Sequence, residues 1–336
     1  MERSDGDLGQ PNRWLDACDM ALLNRAQLGL PIERKPFDAL GKELQMGEDE
    51  VLERLERLKR IGIVRSVSAS FDASRLGYRS ALVAFSVESE HLTDVAMVIS
   101  SLPFVSHNYE RDAEFNLWFT ITLPCKIDMK AEVAKLALEC GVNRWLFLPT
   151  LRAFKVGVAL DASLRLGNIF EKSEEPPMPK RDLTEEDIAC IRILQEELPL
   201  TSAPFDELAK AYGKDGGWLT DRAKVLLSEG RLKRVAVFVN HRKLGYSANA
   251  LVLWAVPDEE VERVGKSLAT LKQVSHCYHR PAYPEWQFSI YAVFHSVDEK
   301  GLQNVVDEAV DIVGDYKWRM LLSVREFKKA KVKLFI

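Results

Sequence analysis

Val105-Ser106-His107-Asn108-Tyr109-Glu110-Arg111 and Val274-Ser275-His276-Cys277-Tyr278-His279-Arg280 are two copies of one motif, set 276 − 107 = 169 positions apart in a chain of 336 residues. Each is followed by an aromatic, strand-like run, Leu117-Trp118-Phe119-Thr120-Ile121 in the first copy and Trp286-Gln287-Phe288-Ser289-Ile290-Tyr291 in the second. A shift of 244 − 76 = 168 lays Leu76-Gly77-Tyr78 over Leu244-Gly245-Tyr246, and a shift of 327 − 154 = 173 lays Arg152-Ala153-Phe154-Lys155 over Arg325-Glu326-Phe327-Lys328. The offset grows by 173 − 169 = 4 around Pro281-Ala282-Tyr283-Pro284. A period this long marks a duplicated domain pair, since solenoid repeats run about 20 to 50 residues.

Each copy changes character partway along. In the second, Thr184 reads as an N-cap with Glu185, Glu186 and Asp187 in the first turn, where acids complement the helix dipole. Helices over Phe205–Ala211 and Trp218–Glu229 follow, with Gly230 as a left-handed cap. Apolar alternation then predicts a wing strand over Leu232–Val239. The first copy repeats this winged-helix outline from Trp14 through Val51-Leu52-Glu53-Arg54-Leu55 to Gly62-Ile63-Val64-Arg65.

Beyond each Leu-Gly-Tyr the order is strand, helix, strand, strand, helix, strand, with the last strand of copy one expected as a single run from Trp145 to Phe154. That is the split βαβ of ferredoxin-like domains. The fold class is therefore α+β, a tandem repeat of a winged helix-turn-helix and a ferredoxin-like βαββαβ domain. The expected domains are 1–75, 76–170, 183–243 and 244–336, with a linker over 171–182 where Glu171-Lys172-Ser173-Glu174-Glu175-Pro176-Pro177 disfavours helix and sheet.

Lys and Arg total 46 against 50 Asp and Glu, with 47% hydrophobic residues, which supports several cores but lacks the basic surplus of a dedicated nucleic-acid binder. The five cysteines form no CxxC pair, so neither zinc nor a disulfide framework is indicated. No signal-peptide pattern or membrane span is present, and a soluble cytoplasmic protein with no membrane partner is expected.

A winged helix followed by βαββαβ resembles the Lrp/AsnC family of transcription regulators, over nearly all of both halves. Within that superfamily, Ser275-His276-Cys277-Tyr278-His279-Arg280-Pro281 with Pro284-Glu285-Trp286-Gln287-Phe288 and the terminal Ser323-Val324-Arg325-Glu326-Phe327-Lys328-Lys329 resemble the siroheme decarboxylases, and His107-Asn108-Tyr109-Glu110-Arg111 resembles their partner subunit. The resemblance implies a fused two-subunit carboxy-lyase that removes carboxyl groups from siroheme acetates. The product would be 12,18-didecarboxysiroheme, on the way to haem or haem d1. No separate cofactor is implied, because the iron tetrapyrrole is the substrate and its own electron sink.

Strand alternation puts His276, Tyr278 and Arg280 on one face, and likewise His107, Tyr109 and Arg111. Arg280 and Arg111 suit carboxylate anchoring. His276 either delivers a proton or contacts the siroheme iron, with His107 as its weaker counterpart. Tyr278 and Tyr109 orient the substrate. Arg65, Lys233 and Arg234 offer further grip near the wings, alongside Arg231, His241, Arg242 and Lys243, or form a solvated strand-and-turn surface, and Trp286 or Tyr283 offers either a stacking platform or an ordinary aromatic plug of the hairpin. The bland alternative for each row is the wet face of a sheet. His295, ending a strand, has no special claim, and Arg325 or Lys328 reads equally as an edge-strand charge. The two halves are expected to form an intramolecular pseudo-dimer open to further homo-oligomerisation, with their sheets packed together and the tetrapyrrole between a sheet and a winged-helix region. A DNA-binding regulator is the competing function, opposed by the acids Glu48, Asp49 and Glu50 at the start of the first recognition helix.

Overall fold

The computed structural model describes residues 14–157, 159–165, 168–169, 177–179 and 181–336, so most of the expected linker lies outside the described residues. The first winged helix comprises α1 (Ala17–Leu28), α2 (Pro36–Leu44), α3 (Glu48–Arg60) and strand β1 (Val64–Phe71). Asp16 and Asp19 form a capping box at the start of α1, and Thr184 and Asp187 do the same at α6 (Glu185–Leu194). Each box satisfies backbone N–H groups that the first helical turn leaves free. The second winged helix continues through α7 (Pro204–Lys210), α8 (Gly216–Ser228) and β7 (Leu232–Val239). Helix α8 ends as expected, with Gly230 in the left-handed region, φ 69°.

The two wings pair with each other. Strands β1 and β7 form an antiparallel ribbon, Val67 opposite Val237. The apolar faces of both winged helices share one core, in which Leu22, Val51, Leu55, Ile191, Leu219 and Leu226 are buried. The duplication thus built one double domain here instead of two separate ones.

The ferredoxin-like part of the first half contributes β2 (Tyr78–Ser86), α4 (Leu92–Ser101), β3 (Val105–Arg111), β4 (Leu117–Pro124), α5 (Met129–Glu139), β5 (Arg144–Pro149) and β6 (Arg152–Val156). The second half contributes the single-turn α9 (His241–Leu244), then β8 (Ala248–Trp254), α10 (Val261–Thr270), β9 (Val274–His279), β10 (Ile290–Ser296), α11 (Glu299–Val313) and β11 (Trp318–Lys329). The strands do not form two separate packed sheets, as expected from sequence. They form one nine-stranded sheet in the order β5-β2-β4-β3-β11-β8-β10-β9-β6.

That order corrects the single strand expected from Trp145 to Phe154. Its first part, β5, pairs with β2 of its own half, and its second part, β6, pairs with β9 of the other. Pro149, which lacks a backbone N–H, ends β5, and Thr150-Leu151 joins it to β6. Strand β11 plays the same double role without a break, pairing with β8 through Leu322 and with β3 from Ser323. Arg325 and Lys328 sit on the part of β11 that pairs with β3 alone.

Because β5 and β6 are adjacent in the chain yet lie at opposite ends of the sheet order, the sheet must curl until its ends approach. Helices α4 and α5 cover the outer face of the first half, and α10 and α11 that of the second. The inner faces of both halves meet in a shared core of Phe115, Trp118, Leu148, Leu253, Trp286, Phe288 and Leu321. After β11 the chain turns back to the winged helices, where Leu334 is buried and the Phe335 N–H donates to the Tyr78 hydroxyl at 2.8 Å.

Candidate active site

The register of β3 and β9 decides what their side chains can do. Asn108 and Cys277 point to the covered side and are fully buried, Asn108 donating to the Ala96 carbonyl beneath α4 and Cys277 packing in the core of the second half. The alternate positions, His107, Tyr109, Arg111 and His276, Tyr278, Arg280, all line one cavity of about 1280 Å³. Its walls are the sheet, the β1–β7 ribbon and the tail after β11. The expected placement between sheet and winged helix agrees with this geometry. The cavity, however, belongs to both halves at once.

The two arginines are placed reciprocally. Arg280 Nη1 donates to the Leu148 carbonyl of β5, and Arg111 Nη1 donates to the Leu321 carbonyl of β11 at 3.1 Å. Leu148 and Leu321 are 321 − 148 = 173 apart, matching the repeat offset of the terminal strands. Each guanidinium thus reaches into the opposite half. It also lies over the tyrosine of its own row, at 4.8 Å for Arg280 on Tyr278 and 5.6 Å for Arg111 on Tyr109. The Nε atom of each is buried without a hydrogen-bond partner. Burial pulls the Arg111 pKa down to about 10 and lowers that of Arg280 as well. Two guanidinium ions that lack a carboxylate among the described residues are held where an anionic ligand would relieve them.

Other cations converge on the same space. Arg65, Lys233 and Arg234 enter from the ribbon, Lys329 from the end of β11, and Lys331 and Lys333 from the tail, while Glu326 is the one carboxylate among the described lining residues. Lys233 is partly committed to Asp72 at 3.3 Å, and the Arg65 guanidinium bonds the Lys329 carbonyl. The Lys331 ammonium bonds the Ser68 hydroxyl at 2.7 Å and lies 3.5 Å from the Phe238 ring centre. Burial, with Arg65 and Arg234 nearby, lowers its pKa to about 7.

Four imidazoles line the cavity: His107, His241, His276 and His295. Burial first, and the surrounding cations second, push His107, His241 and His276 down to about 4 and His295 to about 3. All four are neutral near pH 7 in the free protein. His107 and His276 each turn Nδ1 to the hydroxyl of the preceding serine, at 2.8 Å for Ser106 and 3.0 Å for Ser275. Each ring stacks on the tyrosine two residues on. Burial, with Glu326 beside it, raises the Tyr109 pKa, and burial raises that of Tyr278, so both phenols keep their protons.

Several expected residues fall elsewhere. Trp286 is not a stacking platform. It is 2% exposed in the shared core, 5.6 Å from Trp118, with its indole N–H donating to the Tyr291 hydroxyl at 3.0 Å. The turn at Pro281–Pro284 folds the indole inward because the Tyr283 hydroxyl is tied to the Phe147 carbonyl. Arg231 is buried against Glu229, and the Lys243 ammonium caps the Ile61 carbonyl, so these members of the wing cluster do not reach the cavity. Conversely, His295, Lys329 and Lys331 carry more of the lining than sequence reasoning gave them. Alternation along Tyr291, Val293 and His295 was the readable signal for His295, since Ala292 and Phe294 between them fill the core.

Comparison with known proteins gives this arrangement its family. The AsnC-like ligand binding domain matches residues 75–155 and 243–328, and the siroheme decarboxylase NirDL-like HTH domain matches residues 19–65 and 187–232. The siroheme decarboxylase of Hydrogenobacter thermophilus is 35% identical over 94% of this chain and 94% of its own. The crystal structure of the siroheme decarboxylase NirDL superposes with a TM-score of 0.73 at 31% identity, covering 95% of this chain and 94% of that one. A second, of NirDL in complex with an iron-uroporphyrin III analogue, gives 0.70 at 30% identity, with 94% of both chains covered. With both halves matched in order and one relative aligned almost end to end, the chain belongs to the siroheme decarboxylase family.

Proposed function

We propose that this chain is a cytoplasmic carboxy-lyase that removes carboxyl groups from the acetate side chains of siroheme to give 12,18-didecarboxysiroheme. The observation that carries this reading is the convergence of two His-Tyr-Arg rows and a surplus of cations on one cavity. Such a lining matches a flat substrate bearing many carboxylates better than a small amino acid. The relative with an iron-uroporphyrin III analogue bound is a structure of the same architecture. The tetrapyrrole is substrate, and no separate cofactor enters the scheme. The pseudo-dimer is the working unit, with neither nucleic acid nor membrane as partner. Among the described residues no helix is long and apolar enough to cross a membrane.

In this scheme Arg111, Arg280, Arg65, Lys233 and Arg234 hold carboxylates that are not reacting, fixing the ring's position through charge-assisted hydrogen bonds. The reacting acetate sits in the drier part of the cavity, beside the tyrosines. Loss of carbon dioxide sends the electron pair of the broken carbon–carbon bond into the macrocycle. That pair returns to the same carbon to bond a proton, leaving a methyl group. His276 supplies the proton through Nε2, with Nδ1 tied to Ser275, while Tyr278 and Tyr109 orient the acetates. The substrate's own carboxylates raise the pKa of imidazoles that burial and the free protein's cations depress, so binding charges the acid at the moment it is needed.

Anaerobic incubation with siroheme followed by mass analysis tests the reading. A product lighter by two carboxyl groups is expected, and unchanged siroheme would overturn it. Visible spectra of siroheme bound to His276→Ala separate proton delivery, which leaves the absorption band in place, from iron contact, which shifts it. The regulator alternative meets an obstacle in both candidate recognition helices. Arg54 and Arg57 of α3 are held by Asp16 and Asp19, and Arg222 of α8 by Glu186, which leaves few guanidinium groups to neutralise DNA phosphates.

A further inference from the structure

The two rows are equivalent in sequence but not in what stands behind them. Ser275 Oγ lies 3.0 Å from His276 Nδ1 and 3.0 Å from His295 Nε2, so a single hydroxyl joins two imidazoles. His295 in turn meets His241 edge-on, with ring centres 5.6 Å apart, and His241 Nδ1 lies 3.1 Å from the Lys329 ammonium. In the first half the chain of contacts stops after one step. Strand register makes Thr122 the counterpart of His295, because His107 faces Thr120 as His276 faces Val293. Thr122 bonds Ser80 at 2.8 Å, and among the described residues Ser106 reaches no second imidazole. The repeat offset of 168 makes Ala73 the counterpart of His241.

We propose that Ser275 and His295 form a proton-supply arm behind His276 that His107 lacks, so that the second half restocks its acid from within the protein. This rests on the decarboxylase reading. For each acetate served, His295 starts as an imidazolium. Its Nε2 proton passes to Ser275 Oγ, the Ser275 hydroxyl proton passes to His276 Nδ1, and the His276 Nε2 proton bonds the carbon that has lost carbon dioxide. The step ends with both imidazoles neutral and one proton consumed, as the reaction requires. Both rings then return to their Nε2–H tautomers, which frees Nδ1 of His295, a buried atom with no hydrogen-bond partner, and a proton from solvent or a neighbouring ammonium recharges the ring there.

The groups facing His295 are His241 of α9, Lys329 of β11, His276 of β9 and Asn249 of β8, the last opposite it in register. In the free protein burial first, and Lys329 with the neighbouring imidazoles second, hold it neutral. A bound polyanion screens them, and the arm becomes charged only in the complex. His295 is a positioning residue in this scheme, since it acts through Ser275 and His276 and does not touch the acetate.

Residues in series lose function together, which separates a relay from independent structural roles. Decarboxylation by wild type, His295→Gln, Ser275→Ala and the double variant is measured in single turnover, with siroheme binding followed by its absorption as the folding control. Each single variant is expected to bind siroheme as the wild type does, to react about tenfold to a hundredfold more slowly, and to accumulate product lighter by one carboxyl group. The double variant is expected to be no slower than either single one. Losses that multiply, or single variants at the wild-type rate, would overturn the relay. If His295→Gln fails to bind siroheme, Ser275→Ala alone carries the test, with wild-type turnover counting against the arm. Inactive wild-type protein would instead defeat the decarboxylase reading itself.

Discussion

Strands β3 and β9 carry the same Ser-His-X-Tyr-X-Arg row in matching register, yet their surroundings have diverged. Arg280 sits over two phenol rings, Tyr278 at 4.8 Å and Tyr291 at 5.7 Å. Among the described residues Arg111 sits over Tyr109 alone, because Trp118 stands where the second copy has Tyr291. Behind His276 a hydroxyl leads to two more imidazoles, and behind His107 it does not. Duplication therefore preserved the two His-Tyr-Arg rows and relaxed the residues that stand beside them. The rows a ligand meets are nearly symmetric. What tunes each group's charge is not.

The most direct way to break this comparison is to remove each imidazole in turn. His276→Ala should slow decarboxylation by roughly 10²-fold or more, the usual range for a positioned acid, while siroheme titration stays close to wild type. His107→Ala should cost less, since it removes an acid without a supply arm. Equal losses in the two variants, measured by product mass against time, would make the two rows functionally equivalent.

The arginines come next. Truncation of Arg280 removes charge-assisted hydrogen bonds worth about 1.5–3 kcal/mol, so Arg280→Ala should weaken siroheme binding by roughly tenfold to a hundredfold. Arg111→Ala should fall within the same range, because both guanidinium groups are anchored to equivalent carbonyls across the halves. Absorbance titration at fixed ionic strength measures both. An unchanged curve for either would remove that arginine from the anchoring set.

Much of this arrangement was legible in the chain. The repeat offset exposed the duplication, and period-two alternation put each His-Tyr-Arg row on one face before any coordinate was known. Pairing between the halves was not legible, because the hydrogen bonds that join β3 to β11 and β6 to β9 leave no periodic mark distinct from those within a half. For the same reason the break after Pro149 read as one strand, and the single shared cavity could not be seen. Trp286 left two readings open for a different reason. A tryptophan beside two prolines signals a turn, but whether its ring faces ligand or core depends on long-range packing against Phe115 and Trp118. Trp286→Phe should cost about 1–2 kcal/mol in chemical denaturation, through lost contact area and the lost bond to Tyr291, and should leave siroheme binding intact. Weaker binding in that variant would return the indole to the site.

The smallest effect concerns acid stability, where the two halves again differ in number: His241, His276 and His295 belong to the second, His107 to the first. Their folded pKa values of about 3 to 4 lie below the ordinary 6.5, so the unfolded chain binds these protons first as pH falls. Stability is therefore retained above about 6.5 and is lost progressively between 6.5 and 4, by less than about 1 kcal/mol per imidazole at pH 6. Denaturation at pH 7.5 and pH 6 should show that loss in the free protein, and replacing His295 by Gln should recover more of it than any neutral change at Thr122. A bound polyanion raises the same pKa values, so siroheme should shrink the difference between the two pH values. A loss that siroheme leaves untouched would mean that the imidazoles do not feel the ligand's charge, and with it the coupling between binding and proton supply would fail.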